Sequence, residues 1–218
     1  MSERYDVPPA RLARWLERWA AAHGPPESTR VGEREVVFLG ADGAVATCEP
    51  PFGPLDVAAR GERPGFDPAA LLEHVARERT VGVVLVRLGG HAAGVFEGSR
   101  LVESKVARRL VHGRHRKGGS SSGRFARRRE GEARAALEAA ADVAARVLLP
   151  WVGRLDAVVL GGDRRALATV MEDPRLEPLR ALAVERVIDV PDPRLNVLHA
   201  APERFLGTVV RTSGRITG

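Results

Sequence analysis

The stretch from Thr80 to Val111 decides the fold: TVGVVLVRLGGHAAGVFEGSRLVESKVARRLV. Its opening, TVGVVLVRL (80–88), is a continuous apolar strand suited to a sheet centre covered on both faces. Gly89-Gly90 is a two-residue hairpin signal, and HAAGVFE (91–97) runs back. Gly98-Ser99 is a second signal, with glycine at the first turn position as a type II′ turn wants. RLVESKVARRLV (100–111) then alternates. Val102, Val106 and Leu110 face one way, and Glu103, Lys105 and Arg109 the other. The pattern predicts a three-stranded antiparallel meander.

Downstream, residues 124–149 read as one long helix with Ala133, Leu137, Ala140, Ala144 and Val147 at helical spacing, ended by Pro150. LDAVVLGG (155–162) is a second buried strand, Asp163 can cap a helix over 164–172, and AVERVIDV (183–190) is a fifth strand. From Asn196 onward the chain reads as helical, with Phe205, Leu206, Val209 and Val210 apolar. The order βββ-α-β-α-β-α predicts an α/β fold with a mixed five-stranded sheet, compatible with ribonuclease-H-like (RNase-H-like) folds.

Upstream, Pro8 and Pro9 open an amphipathic helix carrying Leu12, Trp15, Leu16, Trp19 and Ala20, and Gly24-Pro25-Pro26 stops it. REVVFLGA and AVATCEP flank Asp42-Gly43, a hairpin signal. The Pro/Gly-rich 50–66 reads as a loop, and Asp67 with Pro68 can start a helix bearing Leu71, Leu72 and Val75. The expected division is an N-terminal helix-and-hairpin extension with linker, 1–66, and a main domain, 67–218, carrying a basic loop at 112–124.

Composition bounds the function classes. A hydrophobic content of 44% and a charged content of 28% in 218 residues suit a soluble globular protein with a sizeable core. No apolar run approaches the roughly 18 residues that span a bilayer. The opening MSERYDVPPARLARW lacks the apolar run of a signal peptide, so the cytoplasm is the expected compartment and no membrane partner is expected. One cysteine, Cys48, excludes an internal disulfide and a cysteine-based zinc cluster, and it reads as a small buried hydrophobe. His112 and His115 have no neighbouring carboxylate or cysteine, so no metal is expected, and no cofactor.

The net charge is +6, and its placement matters more than its size. Residues 108–134 hold ten basic and two acidic side chains, a local charge of +8, which leaves −2 for the rest of the chain. Ten cations in so short a segment repel one another unless a polyanion neutralises them, so a nucleic-acid partner follows. Within the segment, Gly118-Gly119-Ser120-Ser121-Ser122-Gly123 forms a narrow tip between arginine-rich arms. Two consecutive glycines let the backbone approach another surface closely. The helix start at 122–124 offers unsatisfied N–H groups to an anion. Arg114, His115, Arg116, Lys117, Arg124, Arg127, Arg128 and Arg129 are the candidate phosphate contacts.

HRKGGSSSGRFARRREGEARAALEAAADVA (115–144), after a meander and leading into a long helix, resembles the Vms-type release-factor-like peptidyl-tRNA hydrolases. The resemblance is to their stand-alone actinobacterial branch, related to the catalytic domain of the eukaryotic and archaeal peptide release factor. It implies an RNase-H-like domain whose glycine-rich loop enters the peptidyl-transferase centre of the large ribosomal subunit. There the tip promotes hydrolysis of the ester joining a stalled nascent chain to tRNA, with peptidyl-tRNA and ribosomal RNA as partners and no DNA. Many members read Gly-Gly-Ser-Gln at the tip. Gly118, Gly119 and Ser120 match, while Ser121 stands at the glutamine position. The resemblance therefore makes Gly118, Gly119, Ser120 and Ser121 the catalytic candidates. The departure at Ser121 keeps a non-catalytic RNA-binding module as the alternative. A third reading comes from the G-x-S-x-G pattern at 119–123, with Asp189 and His199 following in hydrolase order. That motif needs a strand running directly into the turn, and charged residues intervene after Val111.

Overall fold

The computed structural model describes residues 2–87, 90–108 and 122–214, with backbone alone for Ser2, Arg108 and 122–130. The chain forms two compact units, one of residues 1–77 with 202–218 and one of residues 78–201.

The first unit holds a six-stranded sheet in the order β1-β10-β4-β3-β2-β5, every neighbouring pair antiparallel. Its strands are β1 (Ser2–Val7), β2 (Ser28–Val31), β3 (Val36–Leu39), β4 (Val45–Glu49), β5 (Gly61–Pro64) and β10 (Thr208–Ser213). The β3–β4 hairpin turns at Asp42-Gly43, where Gly43 has φ +81° and Asp42 Oδ1 accepts the Ala44 N–H at 2.9 Å. Helix α1 (Pro9–Ala22) buries Leu12, Leu16 and Trp19 in a core shared with Val36, Phe38, Ala46 and Cys48. Trp15 packs at its margin and against Tyr5, so both indoles serve packing. Helix α2 (Ala69–Ala76) adds Leu71, and Asp67 Oδ1 accepts the Ala69 N–H at 3.1 Å. Thr29 knits the sheet to this turn: its hydroxyl donates to Gly65 O at 2.7 Å and accepts the Asp67 N–H at 3.0 Å.

Some elements here differ from expectation. β5 forms within 50–66, expected to be a loop, and β1 and β2 are strands for which the sequence reading has no assignment. Residues 202–214 are helical only through α7 (Ala201–Phe205), after which Gly207 breaks the helix. Thr208, Val209, Val210 and Thr212 are β-branched and form β10, which pairs with β1 and β4. β10 and residues 67–77 group with the first unit.

The second unit is built on the meander. β6 (Thr80–Arg87), β7 (Gly90–Glu97) and β8 (Arg100–Arg108) pair antiparallel, and β9 (Ala157–Gly162) pairs parallel with β6, giving the order β8-β7-β6-β9. Gly98 turns with φ +59° between the Glu97↔Arg100 pair, as a type II′ hairpin requires. A bulge sets in after Val95, which faces Glu103, so Val102 is the extra residue before Phe96 faces Leu101. Helix α3 (Ser122–Leu148) packs its C-terminal half on β7, with Ala140, Ala144 and Val147 against Ala93 and Val95. Helices α4 (Arg164–Met171), α5 (Glu177–Ala181) and α6 (Leu195–His199) complete the unit.

The sheet has four regular strands, not the five of the RNase-H-like expectation. Residues 183–190 run beside β9 but bridge it only at Val158↔Ala183 and Gly161↔Ile188. Five residue steps on one side face three on the other, so the intervening chain bows out and no continuous ladder forms. Glu185 lies exposed in that bow.

Candidate nucleic-acid interface

The basic segment is bracketed by the edge strand of the second unit and its longest helix. β8 ends at Arg108, paired with Gly90, and α3 begins at Ser122, two residues before the expected 124, so Ser122 and Gly123 of the expected tip are helical. At 1.5 Å per residue, the 27 residues of α3 extend about 40 Å.

The two halves of α3 have different surroundings. Ala140, Ala141, Ala144, Val147 and Leu148 are buried in the core. Arg175 adds a polar tie, Nη1 to Asp142 Oδ1 at 2.8 Å, and its Nη2 pairs with Asp173 Oδ2 at 2.7 Å. Four successive residues nearer the N-terminus, Glu132, Ala133, Arg134 and Ala135, are all exposed. At 3.6 residues per turn these four positions point around about 300° of the helix, so α3 is open to solvent on most sides there. From Ser122 to Ala135 the helix covers about 21 Å. The sequence of α3 on the N-terminal side of these four residues is arginine-rich.

Arg124, Arg127, Arg128 and Arg129 occupy the first turns of α3. Arg114, His115, Arg116, Lys117, Gly118, Gly119, Ser120 and Ser121 lie outside the described residues, as does His112.

The other chemical candidates resolve into packing roles. Asp163 caps α4, its Oδ1 accepting the N–H groups of Arg165 at 2.9 Å and Ala166 at 3.0 Å. Gly161-Gly162 is therefore a tight strand-to-helix turn. Asp189 is held by Arg87 Nη2 at 2.7 Å, and among the described residues no hydrogen bond joins it to His199, at the end of α6. A hydrolase acid is defined by orienting the histidine, and Asp189 does not do so here. Cys48 is fully buried on β4, which pushes its thiol pKa up to about 12. No group of three or more metal-binding side chains occurs among the described residues. No helix among them is long and apolar enough to cross a membrane.

Residues 79–211 match the family model described as the Actinobacteria/chloroflexi VLRF1 release factor. The match takes in more than half of the chain, which belongs to that family. It includes both elements that bracket the basic segment. Among solved structures, an archaeal protein is similar at 17% identity over 90% of this chain and 70% of that one, with a TM-score of 0.40. The archaeal translation termination factor aRF1 is similar at 17% identity over 88% of this chain and 68% of that one, TM-score 0.39. Pelota of Archaeoglobus fulgidus is similar at 10% identity over 90% of this chain and 60% of that one, TM-score 0.29. No curated protein matches the chain.

Proposed function

We propose that the protein is a ribosome-associated peptidyl-tRNA hydrolase that releases stalled nascent chains. The observation that carries this reading is the +8 segment that runs from the end of an edge strand into the long helix α3, in a chain of the release-factor family. Arg114, Arg116, Lys117, Arg124, Arg127, Arg128 and Arg129, with His115, bind phosphates of ribosomal RNA and tRNA on the large subunit. Gly118, Gly119, Ser120 and Ser121 reach the ester. A backbone N–H at the tip stabilises charge developing on the ester, the role that preorganised donors play in acyl transfer. The Ser121 hydroxyl orders the attacking water in place of an amide side chain. The ribosomal centre supplies the dry surroundings and the remaining polar groups.

The test is peptide release from peptidyl-tRNA bound to large subunits or whole ribosomes, beside free peptidyl-tRNA. Release that requires the ribosome supports the hydrolase. Ribosome binding without release assigns the protein to the alternative, an RNA-binding module, which the serine at position 121 favours. Efficient cleavage of free peptidyl-tRNA contradicts the tip mechanism.

A further inference from the structure

Between α3 and the sheet lies an open cleft of about 380 Å³. That volume lies within the range of small-molecule sites, about 300–1,000 Å³. One wall is the α3 stripe Ala135, Ala139, Asp142 and Arg146, and the other is His91 of β7 with Ala107 of β8. His91 and Ala107 are paired across the two strands and so share a face of the sheet. Ala107 is the smallest side chain on that face of β8, after Glu103 and Lys105, and this opens the space. The cavity thus sits at the root of the basic segment, between the strand that enters it and the helix that leaves it.

His91 is the second observation. It is only 7% exposed, and its Nε2 is buried with no hydrogen-bond partner among the described residues. An orphaned buried polar atom costs about 1–3 kcal/mol, so it marks a place where a partner belongs. Burial pushes the imidazole pKa down, which keeps the ring neutral, and Nε2 then donates or accepts according to tautomer. The mouth carries one charge of each sign. Asp142 Oδ1 accepts from Arg175 Nη1 at 2.8 Å. Arg146 is exposed and pairs with no described carboxylate.

These features select the ligand. A simple anion leaves the alanine wall uncovered and meets Asp142. An aliphatic group leaves His91 Nε2 orphaned. A flat heteroaromatic ring satisfies both walls: its faces cover the alanines, and its edge offers donors and acceptors to His91, Asp142 and Arg146. We propose that this cavity takes an unpaired nucleobase, a purine by its size, of the RNA that the basic segment holds. Arg146 meets the phosphate or the base edge at the mouth. The choice of RNA as the source rests on the proposed function; the nucleobase site itself rests on the cavity.

The test is magnetic resonance of histidine-labelled protein, the His91 signals assigned with His91→Gln, titrated with AMP, GMP, CMP and UMP and then with a short purine-containing oligoribonucleotide. Purine nucleotides shift the His91 imidazole signals. Ala139→Leu, which fills the cavity at a half-buried position, weakens that binding about tenfold. The variant keeps its circular dichroism spectrum. The oligoribonucleotide binds at least about tenfold more tightly than the mononucleotide, because the basic segment adds phosphate contacts. His91 signals that no nucleotide moves, or a shift that survives Ala139→Leu undiminished, overturn the site. Equal affinity for mononucleotide and oligonucleotide overturns RNA as its source. None of these readouts uses peptide release, so the site stands or falls apart from the hydrolase.

Discussion

Gly162 lies against the carbonyl of Val86 so closely that a Cβ built on it falls inside the contact distance of Val86 O. The Asp163 N–H donates to the same carbonyl at 2.9 Å, and Gly162 has φ +108°, a region that disfavours L side chains. This joint lets β9 turn into α4 at the end of the parallel β6–β9 pair. Gly162→Ala is expected to destabilise the protein by about 3 kcal/mol or more, through strain and backbone displacement together. Urea unfolding measures it. A variant as stable as the wild type removes the joint from the account.

Gly131 is the opposite case. It lies within α3, and a Cβ on it meets nothing within 4 Å. Gly131→Ala should stabilise the helix by about 0.8–1 kcal/mol and raise the melting temperature by roughly 2–4 °C. A lowered melting temperature contradicts the open space beside Gly131.

Asp173 receives the Arg175 side chain through Nε at 3.0 Å and Nη2 at 2.7 Å, and it also accepts the Arg175 backbone N–H. The Arg175 side-chain bonds, with the backbone bond, pull its pKa from the ordinary 3.8 down to about 2. A depressed folded-state pKa stabilises above the unfolded value, and the stabilisation is lost as pH falls from 3.8 through about 2. Asp173→Asn should flatten the pH dependence of stability in that window and leave neutral-pH slopes unchanged. An identical acid limb in both proteins counts against the bond.

Cys48 reacts only as a thiolate, and burial places its pKa near 12. A disulfide reagent at mildly alkaline pH should label it slowly in the native protein and rapidly in denaturant. Fast native labelling puts β4 at the surface and contradicts the first unit's core.

The local signals in the sequence located the second unit well. The β6–β8 meander, α3, β9 and α4 each carry their own periodicity, turn glycines or cap. The first unit was partly hidden because β1 and β10 are short and pair across nearly the whole chain, Ser2 with Ser213. Such a pairing leaves no local trace, and apolar Val209 and Val210 suit a helix face as well as a strand. Residues 183–190 have strand composition, but the excess of residues facing β9 appears only in the pairing. The basic segment was legible as charge. His91 was not, because a histidine in an apolar strand reads as core until a cavity is found beside it.

The central claim is that the glycine tip acts on the ester while the arginines hold RNA. Single-turnover peptide release and ribosome binding, measured together on Gly119→Ala and on a charge-reversed Arg127/Arg128/Arg129 variant, test it most directly. The account predicts that Gly119→Ala binds ribosomes as the wild type does but loses release, and that charge reversal loses binding. Wild-type release by Gly119→Ala, or unchanged binding after charge reversal, would contradict it.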